Sequence, residues 1–274
     1  MTIIFDGKKL AAEKEKILGQ KVAEFKKATG ITPKLVAVMV GENEASKLYL
    51  RKKSQAAERV GMEMERINFP AETRESEILR LIKDKNNDSA VHGVMVQLPL
   101  PKKFEILGSI EPSKDVDCLT PENFGLLAMG KPRFLPATVR GIMAIIENWK
   151  LKIENLNVCV VGASNIVGKP LALHLSNLGA TVTICRSKTK NLGEYTREAD
   201  LVVSATGVPK LIKKDMIKKG AAVIDVGSPV GDVDFENVSK VASFITPVPG
   251  GVGPMTVISL LENLFQAASL RYSA

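Results

Sequence analysis

Asn157-Val158-Cys159-Val160-Val161-Gly162-Ala163-Ser164-Asn165-Ile166-Val167-Gly168-Lys169-Pro170 is the stretch that decides the fold class. The apolar run Val158 to Val161 predicts a strand. Leu171, Leu173, Leu175 and Leu178 predict a helix beyond the glycine turn. Gly162 permits a tight turn, Gly168 lets helix and strand approach closely, and the helix start presents N–H groups to a phosphate. A second strand, Thr181–Cys185, follows at the distance a dinucleotide-binding unit requires. The spacing is Gly-x-Ser-x-x-x-Gly rather than Gly-x-Gly-x-x-Gly. The glycines alone therefore also fit a turn in a doubly wound fold that holds no cofactor.

The residues after the second strand narrow the reading. An NAD site places Asp or Glu there to hold the ribose hydroxyls. Here the chain reads Arg186-Ser187-Lys188. A carboxylate would repel a 2′-phosphate, whereas Arg186 and the Ser187 hydroxyl can hydrogen-bond one, so NADP is favoured over NAD. A merely solvated arginine is the plainer alternative.

Outward from this unit, short apolar runs alternate with helical patterns along the whole chain of 274 residues. Helices are predicted over 8–29, 44–60, 75–85, 138–150 and 256–270. Strands are predicted at 34–40, 63–68, 91–97, 157–161, 181–185, 200–204, 221–226 and 243–246. Alternation of this kind implies an α/β fold of two domains with largely parallel sheets, the second domain of Rossmann type. The expected division gives residues 1–138 plus 256–274 to one domain and 139–255 to the other, after Arg133-Phe134-Leu135-Pro136.

Composition sets limits on function. No apolar run approaches the roughly 18 residues of a membrane helix, and Met1 to Gly7 lacks the features of a signal peptide. Three scattered cysteines (Cys118, Cys159, Cys185) and two histidines argue against a metal site or disulfide framework. A soluble cytoplasmic protein with reduced thiols is the expectation. The net charge of +8 is spread over amphipathic helices beside acids, with one tryptophan and no nucleic-acid module. It suits a polyanionic small molecule at least as well as nucleic acid, and an ordinary basic surface equally explains it.

Outside the dinucleotide unit, four features carry candidate chemistry. On the helix 44–60, Ala45, Tyr49, Lys53, Ala56 and Val60 share one stripe, while Leu48, Lys52, Gln55 and Arg59 share a more polar one. Lys53 thus falls on a mostly apolar face, where its amine is shifted toward the neutral form and suits proton transfer. The pattern equally allows it to reach solvent from the stripe's edge. Gln97 ends a strand before Leu98-Pro99-Leu100-Pro101, at a strand end where α/β sites gather, although strands also end on ordinary glutamines. Asp115-Val116-Asp117 reads first as a surface turn. Pro247-Val248-Pro249-Gly250-Gly251-Val252-Gly253-Pro254 suits either backbone approach to a ligand or a rigid linker.

Together these stretches resemble the bifunctional methylenetetrahydrofolate dehydrogenase/methenyltetrahydrofolate cyclohydrolase family. The resemblance rests on Tyr49-Leu50-Arg51-Lys52-Lys53, Gly93 through Pro101, Lys114-Asp115-Val116-Asp117, Gly162 through Gly168, and Pro247 through Thr256, in family order across almost the whole chain. It implies NADP-dependent oxidation of 5,10-methylenetetrahydrofolate, then hydrolysis of the methenyl product to 10-formyltetrahydrofolate, at one site serving both steps. By the same resemblance Lys53 is the acid/base group, Gln97 its hydrogen-bond partner, Tyr49 a stacking surface for the folate and Asp117 the pteridine ligand. The implied folate contacts are Tyr49, Leu50, Arg51, Lys52, Lys53, Val96, Gln97, Leu98, Pro249, Gly250, Gly251, Val252 and Gly253. The implied NADP contacts are Gly162, Ala163, Ser164, Ile166, Val167, Gly168, Arg186, Ser187 and Ser228. A homodimer is implied, with neither membrane nor nucleic acid as partner.

The chain also departs from its family. Pro136-Ala137-Thr138-Val139 stands where Pro-Cys-Thr-Pro is usual, which should alter a helix start rather than the chemistry. Cys118 replaces a glycine after Asp117. Asp225-Val226-Gly227 runs into Ser228-Pro229-Val230-Gly231-Asp232, where relatives have a longer excursion. Two rival expectations stand beside this one: a dehydrogenase with hydrolysis weakened or lost, since the lysine constellation is separable from hydride transfer, and a non-catalytic NADP-binding regulatory or nucleic-acid-binding protein.

Overall fold

In the computed structural model, which describes residues 2–272, each strand pairing is parallel, as alternating strands and helices require. The chain begins with β1 (Ile3–Ile4), α1 (Gly7–Thr29), β2 (Lys34–Val40), α2 (Glu44–Arg59), β3 (Glu63–Phe69), α3 (Glu75–Asn87) and β4 (Gly93–Val96). It continues through α4 (Pro121–Ala128), α5 (Ala137–Asn148), β5 (Asn157–Val161), α6 (Gly168–Asn177), β6 (Thr181–Cys185), α7 (Leu192–Arg197) and β7 (Leu201–Ser204). Last come β8 (Ala222–Asp225), α8 (Phe235–Val238), β9 (Phe244–Ile245) and α9 (Val252–Tyr272). Among the described residues no helix is long and apolar enough to cross a membrane.

Two compact units divide these elements. One holds Ala12–Leu126, Arg133–Ala137 and the chain from Val257 onward, around a sheet ordered β3-β2-β4. Leu35 to Val40 are all buried, so β2 is covered on both faces, as its unbroken apolar run requires. Ile78 and Ile82, one turn apart on α3, close over Val36, Val38, Val94 and Val96. Burying each such side chain contributes about 1.5–3 kcal/mol. Gly93 opens β4 because a Cβ there would press into the side chains of Leu264 and Val116.

The other unit holds the chain up to Ala11, Leu127–Pro132 and Thr138–Thr256, around a sheet ordered β1-β9-β8-β7-β5-β6. Its core stacks Trp149 on Phe244 at 4.3 Å, with the Phe5 ring 5.6 Å from Phe244 on a tilted approach. The first residues join this unit, rather than the first-half unit of the sequence reading, because β1 pairs with β9 (Ile3 with Phe244, Ile4 with Ile245).

Several boundaries move, three of them beside candidate residues. Strand β4 is shorter than 91–97: it begins at Gly93 and stops before Gln97. Helix α5 begins at Ala137 without the family's proline, and the Thr138 and Thr256 hydroxyls meet at 3.4 Å. Helix α9 begins at Val252, so Val252, Gly253 and Pro254 form its first turn instead of the end of a loop. Proline fits there, because the first turn's N–H groups have no partner within the helix.

Candidate functional site

The dinucleotide unit builds one group of candidate residues. Chain order reverses about β5, whose neighbours in the sheet are β6 on one side and β7 on the other. Ligands of open α/β sheets bind outside the carboxyl ends of strands at such a switch point. Gly162 sits there, its N–H donating to the Cys185 carbonyl at 2.9 Å, while Ala205 N–H donates to the Val161 carbonyl at 2.7 Å. Gly162 has φ +118°, and a Cβ on it would fall on the Ala205 carbonyl. A Cβ on Gly168 would fall on the Gly162 carbonyl. The cradle is therefore shaped by two missing side chains, as close backbone approach to a pyrophosphate demands.

Ser164 has a local task as well. Its Oγ accepts from Val167 N–H at 3.2 Å and Gly168 N–H at 3.4 Å, holding the turn into α6. Ile166 is exposed at the tip of that turn. Arg186 and Ser187 stand exposed beyond β6, in a turn closed by Arg186 N–H donating to Thr189 Oγ1 at 2.9 Å. We expect Gly168→Ala to abolish NADP binding while the other unit keeps its fold. Fluorescence titration with NADPH and urea unfolding check this, and wild-type affinity would contradict the cradle.

The loop from Val226 to Gly231 is closed by two buried carboxylates, Asp225 and Asp232. Asp225 accepts from Gly227 N–H (2.9 Å), Asp232 N–H (3.0 Å) and Val233 N–H (3.0 Å). Asp232 Oδ2 accepts from the Ser204 hydroxyl (2.9 Å), Thr206 N–H (2.6 Å) and the Thr206 hydroxyl (2.9 Å). Burial pushes the Asp225 carboxyl above the usual range, and its three backbone donors oppose the shift. The loop thus ties the ends of β7 and β8 together and leaves Ser228 exposed. Also in this unit, Gly250 has φ +109° and Gly251 N–H donates to the Pro247 carbonyl at 2.9 Å, so Pro249 to Gly251 turn tightly into α9.

The other unit brings together Lys53, Gln97 and Asp117. Asn43 caps α2, its side chain accepting from Ser46 N–H at 2.9 Å. The buried stripe of α2 runs through Ser46, Leu50, Lys53, Ala56 and Ala57 and on to Val60; Ala45 is exposed and Tyr49 half-buried. This corrects the expected stripe at its N-terminal end, because the helix faces β3 and β4 about one residue further round. Leu50 therefore packs in the core, while Arg51 and Lys52 are exposed and Lys52 Nζ lies 5.9 Å from the Tyr49 ring centre.

Lys53 is 7% exposed, and its amine donates to Gln97 Oε1 at 3.1 Å. Gln97 Nε2 donates to the Leu98 carbonyl at 2.8 Å, which turns the oxygen of the amide toward Lys53. Burial holds the Lys53 amine below its ordinary pKa, and the Asp117 charge pulls the other way. Burial likewise raises the Asp117 carboxyl, against the attraction of Lys53. The group sets a buried amine beside a half-buried acid, each shifted toward its neutral form.

Asp115 and Lys114, which sequence reasoning did not separate from Asp117, have structural work. Asp115 accepts from Leu119 N–H (3.0 Å), Thr120 N–H (2.8 Å), the Thr120 hydroxyl (2.7 Å) and Asn123 Nδ2 (2.9 Å). Lys114 donates to the carbonyls of Lys85 (2.8 Å), Asn86 (2.7 Å) and Asp88 (2.7 Å), capping the end of α3. Asn263, also missed, donates to the Val116 carbonyl at 2.7 Å and the Leu135 carbonyl at 2.8 Å. Its polarity inside an apolar helix was the signal available. Cys118 takes the glycine position with φ 57° and is fully buried.

Known proteins show the same two parts. The family described as tetrahydrofolate dehydrogenase/cyclohydrolase matches through its catalytic domain over residues 5–117 and its NAD(P)-binding domain over residues 136–272. The bifunctional protein FolD of Exiguobacterium sibiricum is 47% identical over 277 residues, covering 98% of this chain and 100% of its own. FolD 2 of Geobacter sulfurreducens is 48% identical over 280 residues, covering 98% of each. The Campylobacter jejuni FolD crystal structure superposes with a TM-score of 0.95 at 44% identity, covering 99% of this chain and 100% of that one. The Trypanosoma brucei enzyme, solved with NADP and an inhibitor, gives 0.96 at 36% identity, covering 100% and 99%. On sequence, fold and the order of its two parts, this chain belongs to the bifunctional tetrahydrofolate dehydrogenase/cyclohydrolase family.

Proposed function

We propose that this chain oxidises 5,10-methylenetetrahydrofolate with NADP and hydrolyses the methenyl product to 10-formyltetrahydrofolate. The observation that carries the reading is the buried Lys53 amine held by Gln97 beside Asp117. NADP, when bound, accepts the hydride from the methylene carbon. Gly162, Ala163, Ser164, Ile166, Val167 and Gly168 fit its pyrophosphate, Arg186 and Ser187 its 2′-phosphate, and Ser228 the nicotinamide end. The protein's part in hydride transfer is alignment and exclusion of water.

Hydrolysis is where side chains act. Water adds to the methenyl carbon and loses one proton; the bond from that carbon to N5 then breaks, N5 gains a proton, and the hydroxyl gives up its own as the formyl carbonyl forms. An amine poised between its two forms can take the first proton and return the second. Gln97 fixes the amine, Asp117 accepts from pteridine N–H groups, and the half-buried Tyr49 ring supports the folate's flat face. Leu50, Arg51, Lys52, Val96 and Leu98 flank these groups along the chain. We assign folate chemistry to the unit of Lys53 and the cofactor to the unit of Gly162. The proposed setting is a cytoplasmic homodimer whose product serves formyl transfer in purine biosynthesis.

The intact Lys53–Gln97 contact favours the bifunctional reading over a dehydrogenase with weakened hydrolysis. Purified protein given methylenetetrahydrofolate should reduce NADP without accumulating the methenyl absorbance. Accumulation would identify a dehydrogenase alone, and absence of reduction would overturn the reading.

A further inference from the structure

We propose that the Met95 thioether is a positioning group for the Lys53 amine, the second of two acceptors that the end of β4 and the residue after it aim at Nζ. The proposal deepens the reading of Lys53 as the acid/base group and rests on it. Lys53 Nζ lies 3.7 Å from Met95 Sδ and 3.1 Å from Gln97 Oε1. Met95 and Gln97 are two residues apart at the end of a strand, so their side chains leave the same face. Met95 is 1% exposed and Lys53 7%, so water does not compete at the sulfur. The charged group facing the amine is Asp117, with Asp115 beside it.

A neutral amine has two N–H bonds and one lone pair. An amide oxygen and a thioether sulfur together take both N–H bonds, fixing rotation about the Cε–Nζ bond. The lone pair is then left in a defined direction, available to a proton from attacking water. A leucine at this position fills similar volume but accepts nothing, so the amine keeps one fixed bond and turns about it. Sulfur also stabilises an ammonium more than an amine, because a charged donor makes the stronger hydrogen bond.

Met95→Leu tests this through the pH dependence of methenyl hydrolysis. We expect kcat to fall several-fold and the acid limb of the profile to move to lower pH by about half a unit. The Tm and the KM for NADP should stay near wild type. Met95→Gln, which restores an acceptor at similar reach, should return the limb to or above its wild-type position. The limb decides: a limb that stays in place, or moves to higher pH in Met95→Leu, overturns the proposal whatever happens to kcat. A Lys53→Met protein that still hydrolyses the methenyl compound would overturn instead the reading of Lys53 on which it rests.

Discussion

Lys53→Met is expected to reduce methenyl hydrolysis by about 10²–10⁴-fold, the contribution of a positioned acid/base group. NADP affinity should stay within about twofold, because the residues assigned to the cofactor belong to the other compact unit. Methionine has nearly the length and volume of lysine, so the buried position stays filled and the Tm separates a folding defect from lost chemistry. Stability should in fact rise at neutral pH. The Lys53 pKa is lowered in the folded protein by burial, so the unfolded chain binds the extra proton more readily. Folding therefore costs free energy wherever the unfolded lysine is charged, and that cost vanishes in the variant. A thermal scan at neutral pH would show an equal or higher Tm beside lost hydrolysis. Hydrolysis at the wild-type rate would refute the assigned role, whatever the Tm.

How much of this was legible before the structure depends on how local each signal is. The β5–turn–α6 unit was readable because its determinants are neighbours: an apolar run, two glycines and a leucine stripe within about one βα unit. Lys53 was readable as a lysine on an apolar face, although the stripe was placed one residue off at Ala45. The helix rotation that settles it comes from packing on β3 and β4, not from its own sequence.

Asp117 is the opposite case. Two acids around a valine in a loop read as a surface turn. The structure buries Asp115 and half-buries Asp117, because Asp115 collects four donors, Lys114 caps α3 and Asn263 reaches the Val116 carbonyl from 147 residues away. No window of sequence contains those partners. The start of α9 was hidden for another reason. Pro254 reads as a helix breaker but occupies a first-turn position, where a missing N–H costs nothing. β1 escaped notice because two residues carry no periodicity, and its pairing with β9 spans nearly the whole chain.

Arg186→Asp is the prediction that separates a cofactor fold from an NADP site. Arg186 is exposed beyond β6, in the turn closed by Thr189, and Ser187 beside it is equally accessible. A guanidinium on a phosphate makes charge-assisted hydrogen bonds of about 1.5–3 kcal/mol. Aspartate removes that attraction and adds repulsion, so the KM for NADP should rise by about 10²-fold or more. The same carboxylate can accept from the free ribose hydroxyls of NAD, so the KM for NAD should hold steady or fall. The readout is the ratio of kcat/KM for NADP to that for NAD, which cancels any loss of active protein. An equal fall with both cofactors would mean that Arg186 supports the fold of the turn and does not read the phosphate. Ser187 and Lys188 would then be the next residues to exchange, because they bring an exposed hydroxyl and a cation to the same turn.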